Sequence, residues 1–314
     1  MKNKTALVIG CNGQDGSLIC KSLLDKSYKV IGISRSGVDK TENLKSLNID
    51  KDVIKEKSDI CDFKKMSKHI ELYTPDEIYN LAAQSSVGKS FAYPKETIEG
   101  IINGTINLLE ISRITNFQGR IFFAGSSEIF GNTEVGADIN YRQQPINPYA
   151  IGKQTSFNLV KLYRETYNLK CVTGILFNHE SNLRQDTFVS KKIINSAKKI
   201  AKGEISKIKL GNINVIRDWG WAPEYVEAIQ LITNAQKLQD HVICTGEANT
   251  LERFIEIVFQ CCGLNWREHV EIDHELFREN EIQKSFGNPK QIFNQLGWKA
   301  STKLKEVVEK MLNY

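Results

Sequence analysis

The sequence predicts an α/β protein: a Rossmann-like parallel sheet with helices on both faces and a smaller, predominantly C-terminal cap. Three observations predict it. Short β-branched runs alternate with longer helical patterns through the first half, a glycine-rich turn joins the first such run to the first helix, and the even alternation stops near residue 180. In chain order, TALVIG is a strand and SLICKSLLDKSY the helix after the turn. KVIGIS is a second strand, DFKKMSKHIELY a helix, and EIYNLA a strand. TIEGIINGTINLLEISRIT is a helix, IFFAGSS a strand, YAIGKQTSFNLVKLYRETYN a helix, and CVTGILF the next strand. Beyond it the pattern predicts a short strand at KIKL, an aromatic turn at VIRDWGWAP, a strand at HVICTG, and helices at LERFIEIVFQCCG and KLKEVVEKMLNY. The expected division is a cofactor-binding and catalytic body over 1–180 and mainly a substrate-binding cap over 181–314, some of whose segments return to the body.

Bulk properties narrow the function classes. A chain of 314 residues with 41% hydrophobic and 25% charged residues suits an ordinary globular protein with a sizeable core. No run approaches eighteen uninterrupted apolar residues, which argues against a membrane span. The opening MKNKTALVIG has no apolar leader and begins a strand almost at once. A net charge of +5 is modest, and the lysine-rich stretches KDVIKEKSD and KKIINSAKKIAKG come without a nucleic-acid module; solvated helix faces or a few bases meeting a nucleotide phosphate account for them. Seven cysteines, an odd number with no CxxC, predict reduced thiols in a cytoplasm. The five histidines form no metal-ligand grouping with them, so no metal site is expected.

The turn VIGCNGQDGSLI carries Gly10, Gly13 and Gly16 at intervals of three. Small residues between a strand and a helix let the backbone turn sharply and bring a pyrophosphate to unpaired helix N–H groups. The spacing is related to the usual GxGxxG without being identical to it. Gly10, Gly13, Gln14, Asp15 and Gly16 are therefore assigned to a dinucleotide. After the second strand, Arg35 stands where an NAD-selective fold commonly offers a carboxylate; a guanidinium pairs with a 2′-phosphate that a carboxylate would repel, which favours NADP. Asp59, in SDICD, is either an acceptor for the adenine edge or a helix N-cap.

The strongest chemical signal is Tyr149 and Lys153 in NPYAIGKQTS. Four-residue spacing puts both on one helix face, where an ammonium is expected to lower the phenol pKa so that the tyrosine accepts a hydroxyl proton as hydride leaves the attached carbon. Lys153 is also assigned to a cofactor ribose. Ser126 and Glu128, in FFAGSSEIFG, fall at the carboxyl end of a strand, where α/β folds gather active residues. Ser126 would steady the oxygen that becomes a carbonyl. Glu128 is a second carboxylate acid/base that a simple alcohol dehydrogenase does not need; a helix-capping or salt-bridging role is the plainer alternative.

Taken together, GCNGQDGS, EIYNLAAQSSV, SSEIFG, YAIGK, GILFNHES and LGNINVIRDWGWAPEYVEA resemble an extended short-chain dehydrogenase/reductase, and more specifically the GDP-mannose 4,6-dehydratases. The likeness runs over nearly the whole chain. It implies that Ser126 replaces a family threonine, that Glu128 transfers protons, and that Tyr149 is the base with Lys153 its partner. It further implies that Ser86 (in QSSV, where the family has histidine) faces substrate, that Asn178 meets substrate phosphate or sugar, and that Lys192, Arg217 and Arg278 face a nucleotide diphosphate. The segment after Arg35 is shortened and lacks a second adjacent arginine. His179 fits a hydrogen-bonded structural role better than an acid or ligand, and Trp219 and Trp221 either shape the cap or simply pack.

The reaction so implied is oxidation at sugar carbon 4, loss of water across carbons 5 and 6, and reduction at carbon 6 with the cofactor recycled. The leading substrate is GDP-mannose and the product a GDP-4-keto-6-deoxy sugar. A GDP-heptose substrate, a related epimerase or reductase, and a nonenzymatic NADP-sensing protein are the alternatives that the residues leave open. The family also implies a homodimer, or a tetramer, with helices around 97–115 and 149–167 at a four-helix interface.

Overall fold

The computed structural model describes residues 3–278 and 280–313. Its centre is a seven-stranded sheet, all parallel. The strands are β1 (Thr5–Ile9), β2 (Lys29–Ser34), β3 (Ile54–Lys57), β4 (Glu77–Asn80), β5 (Arg120–Ser126), β6 (Cys171–Leu176) and, from late in the chain, His241–Ile243. The spatial order runs from the His241–Ile243 strand through β6, β5, β4, β1 and β2 to β3. The connecting helices are α1 (Gln14–Asp25), α2 (Glu42–Ser46), α3 (Phe63–Tyr73), α4 (Val87–Ala92), α5 (Pro94–Ile114) and α6 (Pro148–Tyr167).

Alternation along β1 shows how the sheet is buried on both faces. Ala6 and Val8 pack with α1 residues such as Ile19 and Leu23, whereas Leu7 and Ile9 pack with Met66 and Ile70 of α3 and Leu108 of α5. The edge strand β3 comes from the lysine-rich IKEK, which the sequence reading left to a solvated helix face or phosphate-binding bases. Its charged side chains sit where further strand pairing would otherwise be invited, so the composition suits an edge.

After residue 180 short elements predominate. These are β7 (Asn178–Glu180), α7 (Val189–Ala201), β8 (Ile208–Leu210), β9 (Ile216–Arg217), β10 (Trp219–Trp221), α8 (Ala222–Asn234), β11 (His241–Ile243), β12 (Asn249–Thr250), α9 (Leu251–Cys261), α10 (Trp266–His269), β13 (Val270–Ile272), β14 (Lys284–Ser285), α11 (Lys290–Leu296) and α12 (Leu304–Leu312). The second lysine-rich stretch is the amphipathic helix α7, burying Ile193, Ile194, Ala197 and Ile200. The predicted aromatic turn is a correction: VIRDWGW is β9 and β10, with β9 between β12 and β14 and β10 beside β7. Two aromatic residues in extended register bury more surface than a turn would allow, and Trp219 packs at 5.4 Å on Phe254.

A separate core joins α7, α9 and α12 around Trp219, whereas α8 and β11 return to the sheet: Tyr225, Ile229, Ile232 and Ile243 share the core of α1. Arg164 of α6 fixes that return through a paired contact with Asp240, at 2.8 and 2.5 Å. Among the described residues no helix is long and apolar enough to cross a membrane, no group of histidine, cysteine or carboxylate side chains could hold a metal, and the cysteines are free.

Candidate active site

The strands of the parallel sheet share one carboxyl side, where Gly10, Arg35 and Asp59 follow β1, β2 and β3 and Ser126 ends β5. Gly10 leaves β1 at φ +90°, a conformation that suits glycine, and its N–H donates to Ile33 O at 2.8 Å. A Cβ on Gly16 would lie 2.1 Å from Gly10 O, so the turn folds back on α1 only because that position has no side chain. Gly13 caps α1 without a side-chain hydrogen bond, so no side chain covers the helix N-terminus. This cradle fits a dinucleotide phosphate. Asn12, which the sequence reading did not single out, pins the turn to the end of β2 by donating to Ser34 Oγ and Ser36 Oγ at 3.0 Å each.

Arg35 is exposed just past β2, and its guanidinium makes no hydrogen bond or ion pair among the described residues. Asp59 lies past the neighbouring β3. Of its two predicted roles, the N-cap belongs instead to Asp62, which accepts from Lys65 N; Asp59 accepts from Cys61 N at 2.9 Å in a local turn.

Gln14 and Asp15 reach the other way. Gln14 donates to His179 O at 3.1 Å and accepts from Ser181 Oγ at 2.8 Å. Asp15 Oδ2 meets His179 Nε2 at 2.9 Å, and His179 Nδ1 meets Phe177 O at 2.7 Å. A carbonyl and a carboxylate can only accept, so both ring nitrogens donate and His179 is an imidazolium. Burial opposes each charge, yet the pairing wins: Asp15 is held at about 2 and His179 is raised. His179 also stacks on Tyr225 at 4.7 Å. It is a strut between the phosphate turn and β7.

Ser126 ends β5 and caps the 3₁₀ turn over Ser127–Phe130, accepting from Glu128 N at 3.3 Å. Glu128 on that turn accepts from Asn147 Nδ2 at 2.8 Å. Asn147 is the N-cap of α6, which carries Tyr149 and Lys153. Tyr149 is buried, with the Ser126 hydroxyl near enough to draw its phenol down and the charge of Glu128 in electrostatic reach. Lys153 donates to Ala124 O at 2.7 Å and lies 5.8 Å from the Tyr149 ring centroid.

One expectation about this pair fails. Burial pushes the Tyr149 phenol up to about 12, against the pull of the Ser126 hydrogen bond, and burial brings the Lys153 ammonium down to about 8. The Lys153 ammonium is turned to Ala124 O.

Across the cleft, burial lowers Arg217, and the charges of Glu128 and Glu281 hold it cationic against Arg278. Glu281 is half-buried and raised, between the same two arginines. The sequence reading missed it; its proximity in chain to Arg278 was the available signal. Arg217, Arg278, Glu281 and Glu128 thus lie within electrostatic reach of one another. Asn178 opens β7 and pairs in register with Trp219 of β10. Ser86 caps α4 beyond β4, accepting from Lys89 N at 3.3 Å. Lys192 is on α7, its ammonium donating to Lys209 O of β8 at 2.7 Å. Between Arg217 and Trp219 lies a second missed residue, Asp218. It is fully buried, accepts from Thr245 N at 2.9 Å, Thr245 Oγ1 at 2.7 Å and Gly246 N at 2.9 Å, and is raised by burial to about 6. It ties the strand of Arg217 to the loop after β11.

The family described as GDP-mannose 4,6 dehydratase matches residues 7–311. The chain belongs to that family. It is 38% identical over 321 residues to GDP-mannose 4,6 dehydratase 1 of Arabidopsis thaliana, covering 99% of this chain and 89% of the relative. It is 33% identical to the GDP-mannose 4,6 dehydratase of Dictyostelium discoideum, covering 99% and 95%. Among solved structures, a UDP-glucose 4-epimerase from Thermotoga maritima superposes with a TM-score of 0.87 at 21% identity, over 99% of this chain and 98% of that one. A dTDP-glucose 4,6-dehydratase from Bacillus anthracis, solved with NAD, gives 0.86 at 17%, over 99% and 96%. These two likenesses establish the fold. Family membership makes the chain an NAD(P)-dependent nucleotide-sugar 4,6-dehydratase.

Proposed function

We propose that this dehydratase uses NADP and converts GDP-mannose to GDP-4-keto-6-deoxymannose. The convergence of Ser126, Glu128 and Tyr149 at the end of β5 carries this reading, because two groups able to move protons then border one reacting sugar. When bound, the dinucleotide supplies a hydride acceptor that later gives the hydride back. Ser126 orients the carbon 4 hydroxyl and favours the phenolate of Tyr149, which takes the hydroxyl proton. Glu128 takes the carbon 5 proton, made acidic by the neighbouring ketone, and passes it to the carbon 6 hydroxyl, which leaves as water, while the proton that Tyr149 took balances the one later returned to carbon 5. A proton returned to carbon 5 completes the product. Lys153 holds the cofactor ribose; Arg217 and Arg278, with Asn178, Lys192 and Ser86 at the margins, hold the sugar nucleotide. Glu281 suits hydroxyls rather than phosphates, since an ionised carboxylate only accepts.

Arg35, exposed and without a hydrogen-bonding partner, supports the 2′-phosphate and hence NADP. Exposed Ile114, Ile151, Leu162 and Tyr167 on and beside α5 and α6 support a homodimer or tetramer through those helices.

Incubation with GDP-mannose, GDP-heptoses and other sugar nucleotides, with products identified by mass and ring NMR, tests the reaction. Loss of one water without net cofactor consumption, and label moving from carbon 4 to carbon 6, are expected. Net cofactor consumption or simple inversion would replace this reading with a reductase or an epimerase. Tyr149→Phe is expected to stop the carbon 4 oxidation; hydride transfer at the parental rate would remove Tyr149 from its role.

A further inference from the structure

Asn147 is 3% exposed and uses both ends of its amide. Its Oδ1 accepts from Ala150 N at 2.8 Å, capping α6. A backbone N–H can only donate, so this contact fixes which end of the amide is oxygen. The nitrogen therefore turns toward the reacting cleft, where Nδ2 donates to Glu128 Oε2 at 2.8 Å. A hydrogen bond to a carboxylate is strengthened by its charge. Glu128 Oε1 has no donor among the described residues and is left for substrate. The helix that Asn147 starts carries Tyr149 two residues later. A single buried side chain thus sets the register between the two groups that move protons in successive steps.

We infer that Asn147 is a positioning residue for the carbon 5 proton transfer, holding Glu128 as an oriented base through its side-chain amide. This rests on the dehydratase mechanism proposed above. The competing role is a helix cap and nothing more. Serine and aspartate cap helices about as well as asparagine, so Asn147→Ser and Asn147→Asp keep that role. Neither keeps the amide donor: the serine hydroxyl is too short to reach Glu128, and an aspartate would repel it.

The experiment compares Asn147→Ser, Asn147→Asp and Glu128→Gln in the full chain with cofactor and GDP-mannose. Three quantities are measured: reduced nicotinamide formed in a single turnover, solvent deuterium entering sugar carbon 5, and the melting temperature. Both Asn147 variants are expected to melt near the parental temperature and oxidise carbon 4 normally. Exchange at carbon 5 should fall about ten- to a hundredfold, the range for one hydrogen bond to a charged group. Combined with Glu128→Gln, the Asn147 substitutions should cost nothing further. If carbon 4 oxidation and carbon 5 exchange fall together, or if exchange does not change, Asn147 is only a cap and the inference is overturned. If Glu128→Gln itself dehydrates at the parental rate, the mechanism fails first, whatever Asn147 does.

Discussion

Two glutamates at opposite ends of the sheet show how one side chain becomes structural and the other reactive. Glu77 opens β4 at the amino end and is 1% exposed; it accepts from Lys4 at 3.2 Å, Tyr28 at 2.8 Å and Tyr79 at 2.6 Å. Glu128 follows β5 at the carboxyl end, half-buried, with one donor at 2.8 Å and one oxygen free. The tyrosines differ in the same sense. Burial and the Glu77 charge drive the Tyr79 phenol well above its ordinary range, whereas the Tyr149 phenol has a serine hydroxyl drawing it back. Saturation locks a carboxylate in place; a carboxylate left one contact short has an oxygen free for another partner.

The comparison is broken most forcefully at the reactive end. Glu128→Gln should lower dehydration by about a thousandfold, within the usual range for a general base, while the melting temperature stays close to parental. Steady-state turnover and calorimetry check this, and unchanged turnover would remove Glu128 from the chemistry. At the other end the effects should reverse. Glu77→Gln is expected to reduce unfolding stability by about 1–3 kcal/mol, through loss of charge-assisted contacts in a buried cluster, with turnover unchanged. Urea denaturation beside an activity assay decides it.

A smaller, pH-dependent effect should follow from the Asp15–His179 strut. His179 has a raised pKa when folded, so its contribution is full below the ordinary 6.5 and fades as pH rises through the folded value. Asp15 is lowered from 3.8 to about 2, so its contribution is present above 3.8 and fades as pH falls toward 2. The stability difference between the parent and His179→Gln should therefore be greatest between these limits and shrink on either side. A difference independent of pH would mean that His179 is neutral. Least of all, Ser126→Thr should leave turnover nearly unchanged, because the hydroxyl is kept and only a methyl is added; kcat and KM with GDP-mannose test it.

The sheet was legible because parallel strands buried on both faces need runs such as TALVI and RIFFAGS, and these stand out against helical periodicity. IKEK escaped notice as β3 because an edge strand carries charge, and β9 and β10 escaped because two- and three-residue strands have no period to detect. Among site residues, the glycine turn, Ser126, Glu128, Tyr149 and Lys153 could be chosen from local spacing and family likeness. Asn12, Asn147 and Asp218 could not, since each acts through a partner distant in sequence.

By itself, the sequence determined the alternation of elements, the sharp turn at Gly10 and the one-face placement of Tyr149 and Lys153. Each of these depends on neighbours within a few residues. The tertiary structure alone decided the directions in which burial moves that tyrosine and lysine, the pairing that raises His179, and which carboxylate is saturated and which is left open. Those outcomes are set by burial and by donors arriving from elsewhere in the chain, and the energy of a charge depends on what surrounds it in space.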